Sequence, residues 1–535
     1  MNTLKYFSKY QILIFILFIS VYQLNAQDGL DNPITKAMMK VYQQQLDEDP
    51  QDYETYFKRA NEYYNHNQYA KALTDINNAL KYVPTTEIDL KYQSLCLRAS
   101  IYEVTENYEK ALNDLNNALQ IEPNSYSVIY RKANAEYLLM KYDEAKADYQ
   151  RMLRLNNRSI EALIGLSRIA VNEKNLGLAN EYADNAVALA PTEATVYLRR
   201  ASVRKLMGNN TGAVDDLILA LSTGKETTKA LQELVDMGNT DYNAVMTGLS
   251  NAIRQAPKVG MYYYIRGTIA KAHYNYVAAM ADFKKIINEN LYNYHGIHRE
   301  LAECQYCLGK YDEAIYDINY AINATSENSE YYVIKAKILR ALGQAKEGLE
   351  CCNIALTKNP NITEAISIKG LCLTDLGDYE QAVILFGEAT LNEANNPYYY
   401  MLRANIIEKH LKQEENANTI YERIIDMDNN PNDVKSLKGF ALLALKRNNI
   451  AKNWIENILS TTTDNDGIVY YYAACLYSQL GNIDKAIECM KVSLQKGYAN
   501  YYDWTLNSDT NINIAPIREN KQFHELLSQY SLIFK

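Results

Sequence analysis

The chain has 535 residues, with 55 Lys and Arg against 64 Asp and Glu and a formal net charge of −9, so it lacks the basic footprint of a nucleic-acid binder. Hydrophobic residues make up 48% and charged residues 22%, which excludes a disordered chain, and 10 Pro with 21 Gly are too few for a β-rich or loop-rich protein of this length. Eight Cys exclude a disulfide-scaffold miniprotein, six His leave little material for metal or acid–base chemistry, and tyrosine is the outlier, at 47 against 9 Phe and 2 Trp.

The first predicted element is an address. Lys5 and Lys9 precede the apolar run Ile12 to Val21. Ten helical residues span about 15 Å, half of a bilayer core. Ala26 offers a small residue for cleavage, so residues 1–26 read as a secretory signal peptide and the chain as exported, to the periplasm or cell surface. An uncleaved anchor is the alternative. No later run reaches 18 apolar residues, so no transmembrane span is predicted after cleavage.

From residue 33 onward the chain repeats. YAKALTDINNALKYVP (69–84) and YEKALNDLNNALQIEP (108–123) share a template with 142–157, 311–326 and 379–394. Its fourth residue falls at 72, 111, 145, 179, 213, 245, 279, 314, 348, 382, 417, 451 and 486, and is Ala except at Val245 and Gly348. Most spacings are 34 or 35 residues. Twelve residues upstream sits a second small residue, such as Ala60, Ala99, Ala133, Gly267 or Gly370; Glu233 breaks the series. Two amphipathic helices per repeat explain the pattern, because small side chains at a crossing let the axes approach closely. Gly208, Gly309, Gly343, Gly377 and Gly481 mark the break between them. None of the ten prolines falls inside a proposed helix.

The spacing resembles the tetratricopeptide repeat family. That family has a small residue at position 8, Tyr at 11, Ala at 20, an aromatic or aliphatic residue at 24, Ala at 27 and Pro at 32. Ala60, Tyr63, Ala72, Ile76, Ala79 and Pro84 supply these in the first repeat. The resemblance covers roughly 33–500. It implies an all-α fold, an α-solenoid built as a right-handed superhelix of helix–turn–helix repeats. The first helix of each repeat would line a concave groove, and the implied partner is a protein or peptide. The expected organisation is a half-repeat helix at 33–50, five repeats at 53–225, a degenerate, loosely packed repeat at 226–258, seven repeats at 260–500 and a capping segment at 501–535, since an end helix would otherwise expose its apolar face.

No catalytic motif is present, neither G-x-S-x-G, P-loop, H-E-x-x-H nor G-x-G-x-x-G, so the chain reads as no enzyme and no cofactor is expected. His295, His298, Cys304 and Cys307 look like a zinc set when spelled out. At 100° per residue the histidines and cysteines point to opposite sides of one helix, and a tetrahedral site cannot close. Most of the eight cysteines read as buried thiols.

Twelve tyrosines fall at positions 4 and 17 and read as packing residues. Positions 2, 5, 9, 12 and 13 face the groove in the family. The candidate partner-binding residues there are Phe57, Asn61, Tyr64, Tyr130, Asn134, Tyr137, Tyr264, Arg299, Tyr306, Tyr398, Asn405, Phe440 and Tyr471. Tyrosine gives large contact area at low entropy cost, and Asn amides can hold a peptide backbone. A Lys/Asn clamp on a terminal carboxylate is not expected, because only Arg299 is basic at position 5. The resulting reading is a scaffold or adaptor. The alternatives are a cell-envelope assembly factor using its convex or end surfaces, and a carbohydrate binder stacking sugars on tyrosine.

Position 7 is basic and position 23 acidic in the same five repeats. Both lie eight residues from the turn at position 15, so five ion pairs are expected: Arg59–Asp75, Arg98–Asp114, Lys132–Asp148, Arg200–Asp216 and Arg266–Asp282.

Overall fold

The computed structural model describes residues 33–531 except 293, 295, 428–432, 464–466, 499, 506, 508, 510 and 511. The expected signal peptide at 1–26 lies outside them. Among the described residues there are 29 α-helices, two short 3-10 turns and no strand. None of these helices is long and apolar enough to cross a membrane.

The chain divides into two compact units at Gly248–Leu249. The first begins with the helix Pro33–Glu48 and continues as hairpins, Tyr53–Asn65 with Tyr69–Tyr82 being the first and Ala194–Leu206 with Asn210–Ser222 the fifth. The second holds hairpins from Gly260–Ala272 with Tyr276–Glu289 to Ile468–Gln479 with Ile483–Gln495. In each unit successive hairpins pack on their neighbours, which is the α-solenoid arrangement.

The small residues sit where the helices of a hairpin meet. Ala60, Ala72, Ala133 and Ala145 are 0% exposed. Where position 8 is Gly, an aromatic residue fills the space. A Cβ on Gly267 would lie 2.8 Å from the Phe283 ring, and one on Gly370 would lie 2.7 Å from the Phe386 ring.

The turn between the paired helices has one backbone signature. Position 15 is left-handed in Asn67, Glu106, Met140, Lys174, Tyr274, Lys412 and Lys446 as well as in the five marker glycines. A left-handed residue after the helix satisfies the last carbonyls and reverses the chain. Residues 226–258 are the exception: the helix Thr227–Thr240 runs through that position and ends at Asp241, with φ −147°. There Leu234 is 0% exposed, while Glu233 is half-buried and lies 3.6 Å from Lys205.

All five expected ion pairs form. Arg59 Nε lies 2.6 Å from Asp75, Arg98 Nη2 2.7 Å from Asp114, and Arg200 and Arg266 each 2.6 Å from Asp216 and Asp282; Lys132 pairs with Asp148. Each arginine also reaches back with Nη1, to Gln43, Asn77, Asp184 or Ser250 on the preceding helix, at 2.8–2.9 Å. One guanidinium therefore ties its own hairpin together and fastens it to the helix before it. Asp317, which has no base at position 7, accepts from Gln305 Nε2 at 2.8 Å and lies 2.7 Å from His298 Nδ1.

Candidate functional site

The first helices of each unit carry the candidate residues, but the two units treat them differently. In the first unit Asn61 is exposed, and Phe57, Tyr64, Tyr130, Asn134 and Tyr137 are half-buried. Tyr64 and Tyr137, at position 12, pack against the position-17 rings of Tyr69 and Tyr142 with centroids 5.9 and 5.5 Å apart. The Asn134 carbonyl accepts from the Tyr149 hydroxyl at 2.7 Å. Tyr137 accepts from Asn172 Nδ2 at 3.2 Å.

Sequence reasoning missed the basic residues of this surface. Arg168, at position 9, is exposed and has no ion pair among the described residues. Arg199 donates to Ser167 Oγ and Ser167 O, both at 2.9 Å. Burial and the neighbouring Arg168 charge push the Arg199 guanidinium down to about 10. No carboxylate is among the groups acting on Arg199. Position 5 does not reveal Arg168 and Arg199, because they occupy positions 9 and 6.

In the second unit the chain covers its own candidate residues. Tyr264 is 8% exposed and packs against Tyr292 and Tyr294, with centroids 5.9 and 5.7 Å away. Arg299 is held by Glu300 at 2.6 Å and Glu303 at 3.5 Å. Lys271 joins the same cluster through Glu300 and Glu303. Burial raises the Glu303 carboxyl, but Arg299 and Lys271 outweigh it and hold it at about 2. Phe440 is 0% exposed. Tyr398, 36% exposed, is the most accessible of the set in this unit.

The residues after Tyr498 cover the rest. The helix Lys521–Ser531 packs against Ile483–Gln495, but the stretch before it runs along the first helices of the hairpins. Tyr306 meets Tyr502, centroids 5.4 Å apart. Tyr471 is 2% exposed, stacked on Tyr498 at 4.9 Å and edge-on to Trp504 at 4.9 Å. Asn405 Nδ2 donates to the main-chain oxygen of Asp509 at 2.9 Å. Arg340, at position 12, holds both carboxylate oxygens of Asp509, at 2.9 and 2.5 Å. The described part of the segment expected as an end cap at 501–535 therefore lies over these candidate residues. Tyr306, Asn405 and Tyr471 face it rather than solvent.

Cys304 is fully buried, and burial raises its thiol well above the ordinary range. All eight cysteines are free. Among the described residues no three His, Cys, Asp or Glu side chains are grouped to hold a metal ion; His295 lies outside them.

Residues 57–126 and 469–494 match family models described as tetratricopeptide repeat. No curated protein matches the chain. Among solved structures, yeast Tom70 is similar at 16% identity and TM-score 0.34, over 75% of this chain and 95% of that one. The Cut9–Hcn1 hetero-tetramer of APC/C is similar at 14% and 0.33, over 93% and 96%. YrrB, titled a TPR protein with an unusual peptide-binding site, is similar at 20% and 0.29, over 36% and 96%.

Proposed function

We propose, from the tetratricopeptide repeats that the chain carries, that it is a scaffold or adaptor binding a protein or peptide partner in the groove of its first unit, outside the cytoplasm. One observation carries this reading: the first unit leaves polar groove residues accessible, with Asn61 and Arg168 exposed and Tyr130, Asn134 and Tyr137 half-buried beside them. Arg168 and Arg199 add uncompensated positive charge on a chain of net charge −9, so a segment bearing carboxylates suits the groove. Export rests on the motif in residues 1–26.

The test is capture of partners from the native envelope with the wild-type chain and with an Asn61→Ala, Asn134→Ala, Arg168→Ala variant. The variant is expected to fold with unchanged circular dichroism and to lose the partner. Capture of the same partners by both chains would overturn the groove reading. N-terminal sequencing of the exported protein is expected to start at or near Gln27.

A second reading, assembly through an end surface, has its own support. The first helix exposes an apolar stripe of Ile34, Met38 and Val41, at 71%, 38% and 49%. The carbohydrate reading has less in its favour, because Tyr64 and Tyr137 pack against neighbouring tyrosines instead of standing as free platforms.

A further inference from the structure

In the second unit the described residues between Tyr498 and Arg518 are held as a bound peptide is held. Three groove side chains grip main-chain oxygens: Asn405 on Asp509 at 2.9 Å, Gln479 on Asn513 at 3.2 Å and Ser478 on Ile514 at 3.4 Å. Bonds to main-chain oxygens read a backbone and ignore its sequence, while Gln479 also donates to the Asn513 side chain at 3.2 Å. Arg340 forks onto Asp509, a geometry that selects a planar carboxylate. Trp504, 0% exposed, and Tyr502 supply the aromatic anchors on Tyr471 and Tyr306. Backbone grip, one forked carboxylate and buried aromatic anchors are the three components of peptide recognition in a groove.

Gly309 shows that the seat is shaped for this occupant. A Cβ there would lie 2.4 Å from the Tyr501 ring. Gly343, Gly377 and Gly481 hold the same left-handed turn position, with nothing within 4 Å of a built Cβ. Only where the C-terminal segment crosses does the turn also need to be bare.

We propose that the groove of the second unit is a peptide-binding site whose resident ligand is the chain's own segment 498–518, and that it admits an external segment only if that segment carries an aromatic cluster with tryptophan followed five residues later by aspartate. The external competitor reproduces Tyr-Tyr-x-Trp and Asp509 and displaces the resident copy. This goes beyond binding in the first unit and stands or falls separately from it.

The experiment uses the full chain with a protease site inserted after Lys496, cut after folding, and a fluorescent synthetic peptide of residues 497–520 as the probe. The cut chain is expected to exchange its own segment for the labelled one, read by anisotropy and native mass spectrometry, while the uncut chain takes up none. A peptide with Asp509→Ala is expected to bind at least about tenfold more weakly, the loss typical of a charge-assisted pair. In the cut chain, Gly309→Ala is expected to weaken uptake of the peptide, whose Tyr501 meets the added Cβ, and Gly377→Ala, with the same backbone strain, to leave uptake unchanged. The proposal is overturned if the cut chain stays folded and never exchanges, if cutting unfolds the second unit outright, or if the two glycine variants behave alike. Loss of native-envelope partners from the first-unit variant leaves all of these readouts unchanged.

Discussion

Asp114 is 1% exposed and holds Arg98 through both of its oxygens, whereas the Arg98 side chain keeps 22% of its surface in water. The two partners are thus unequal when one is removed. Arg98→Ala strands a buried carboxylate and is expected to cost about 3 kcal/mol or more. Asp114→Ala leaves a guanidinium that still reaches water and the Asn77 carbonyl, at 2.8 Å, and is expected to cost about 1–2 kcal/mol. Urea denaturation of both variants checks the asymmetry; equal losses would mean that the pair behaves as a surface contact. Burial also leaves its mark on the matching residues Asp216 and Asp282, whose carboxyls it raises against the pull of Arg200 and Arg266. Position-4 tyrosines likewise do more than fill space. Tyr197 and Tyr263 donate to the carbonyls of Pro191 and Pro257 at 2.9 and 3.2 Å, which ties a helix start to the end of the repeat before it.

The helical hairpin owes its turn to backbone geometry more than to residue type. Seven non-glycine residues accept a left-handed conformation at position 15, at a cost of roughly 1 kcal/mol each. Met140, 74% exposed at φ +60°, packs little in return. Met140→Gly is therefore expected to stabilise the chain by about 0.5–1 kcal/mol, and Gly377→Ala to destabilise it by a similar amount, as urea midpoints will show. The hairpins and their ion pairs were legible because each depends on residues fewer than forty apart and recurs, the hairpin thirteen times and the ion pair five. The left-handed turn was legible only at glycine, since Lys174 or Glu106 carries no such signal in its side chain. The groove was half legible. Positions 5, 9 and 12 pointed to Tyr130, Asn134 and Tyr137, but nothing local to Tyr306, Asn405 or Tyr471 announces that a segment from the C-terminal end lies over them.

In the second unit as a whole, the segment that fills the groove brings a titrating group with it. Asp503 accepts from Tyr498, Asn500 and Asn507 at 2.5, 2.7 and 3.2 Å, yet burial pushes its carboxyl up to about 6 from an ordinary 3.8, and Asp509 adds to the rise. The groups that feel its charge include the tyrosines Tyr276, Tyr311, Tyr398, Tyr471, Tyr472 and Tyr502 and the thiols of Cys307 and Cys475. The folded chain keeps a proton that the unfolded chain has lost by pH 6. Seating of the segment is thus unpenalised in this respect near pH 4 and weakens as pH rises through about 6. Hydrogen exchange, corrected for intrinsic rates, is expected to show more protection of residues 498–518 at pH 5 than at pH 7.5. Asp503→Asn is expected to flatten the difference.

The links from Arg340 to Tyr502 and Asp509 and from Asn405 to Asp509 join residues 162, 169 and 104 apart in the chain, among hairpins that otherwise pack on their neighbours. A simple array of repeats folds by propagation from any point and can be completed piece by piece during synthesis. Here the middle of the second unit closes only once Tyr502 and Asp509 have been made. Until then Tyr306, Asn405 and Tyr471 are open to whatever passes. The contact that raises the contact order also delays completion, and slow, non-local closure is the step at which such a chain is most exposed to misassembly and most dependent on folding helpers. Once seated, the same contact turns a row of nearly independent hairpins into a body that opens at one strength, and a cut or truncation anywhere near the C-terminal end is felt two hundred residues upstream.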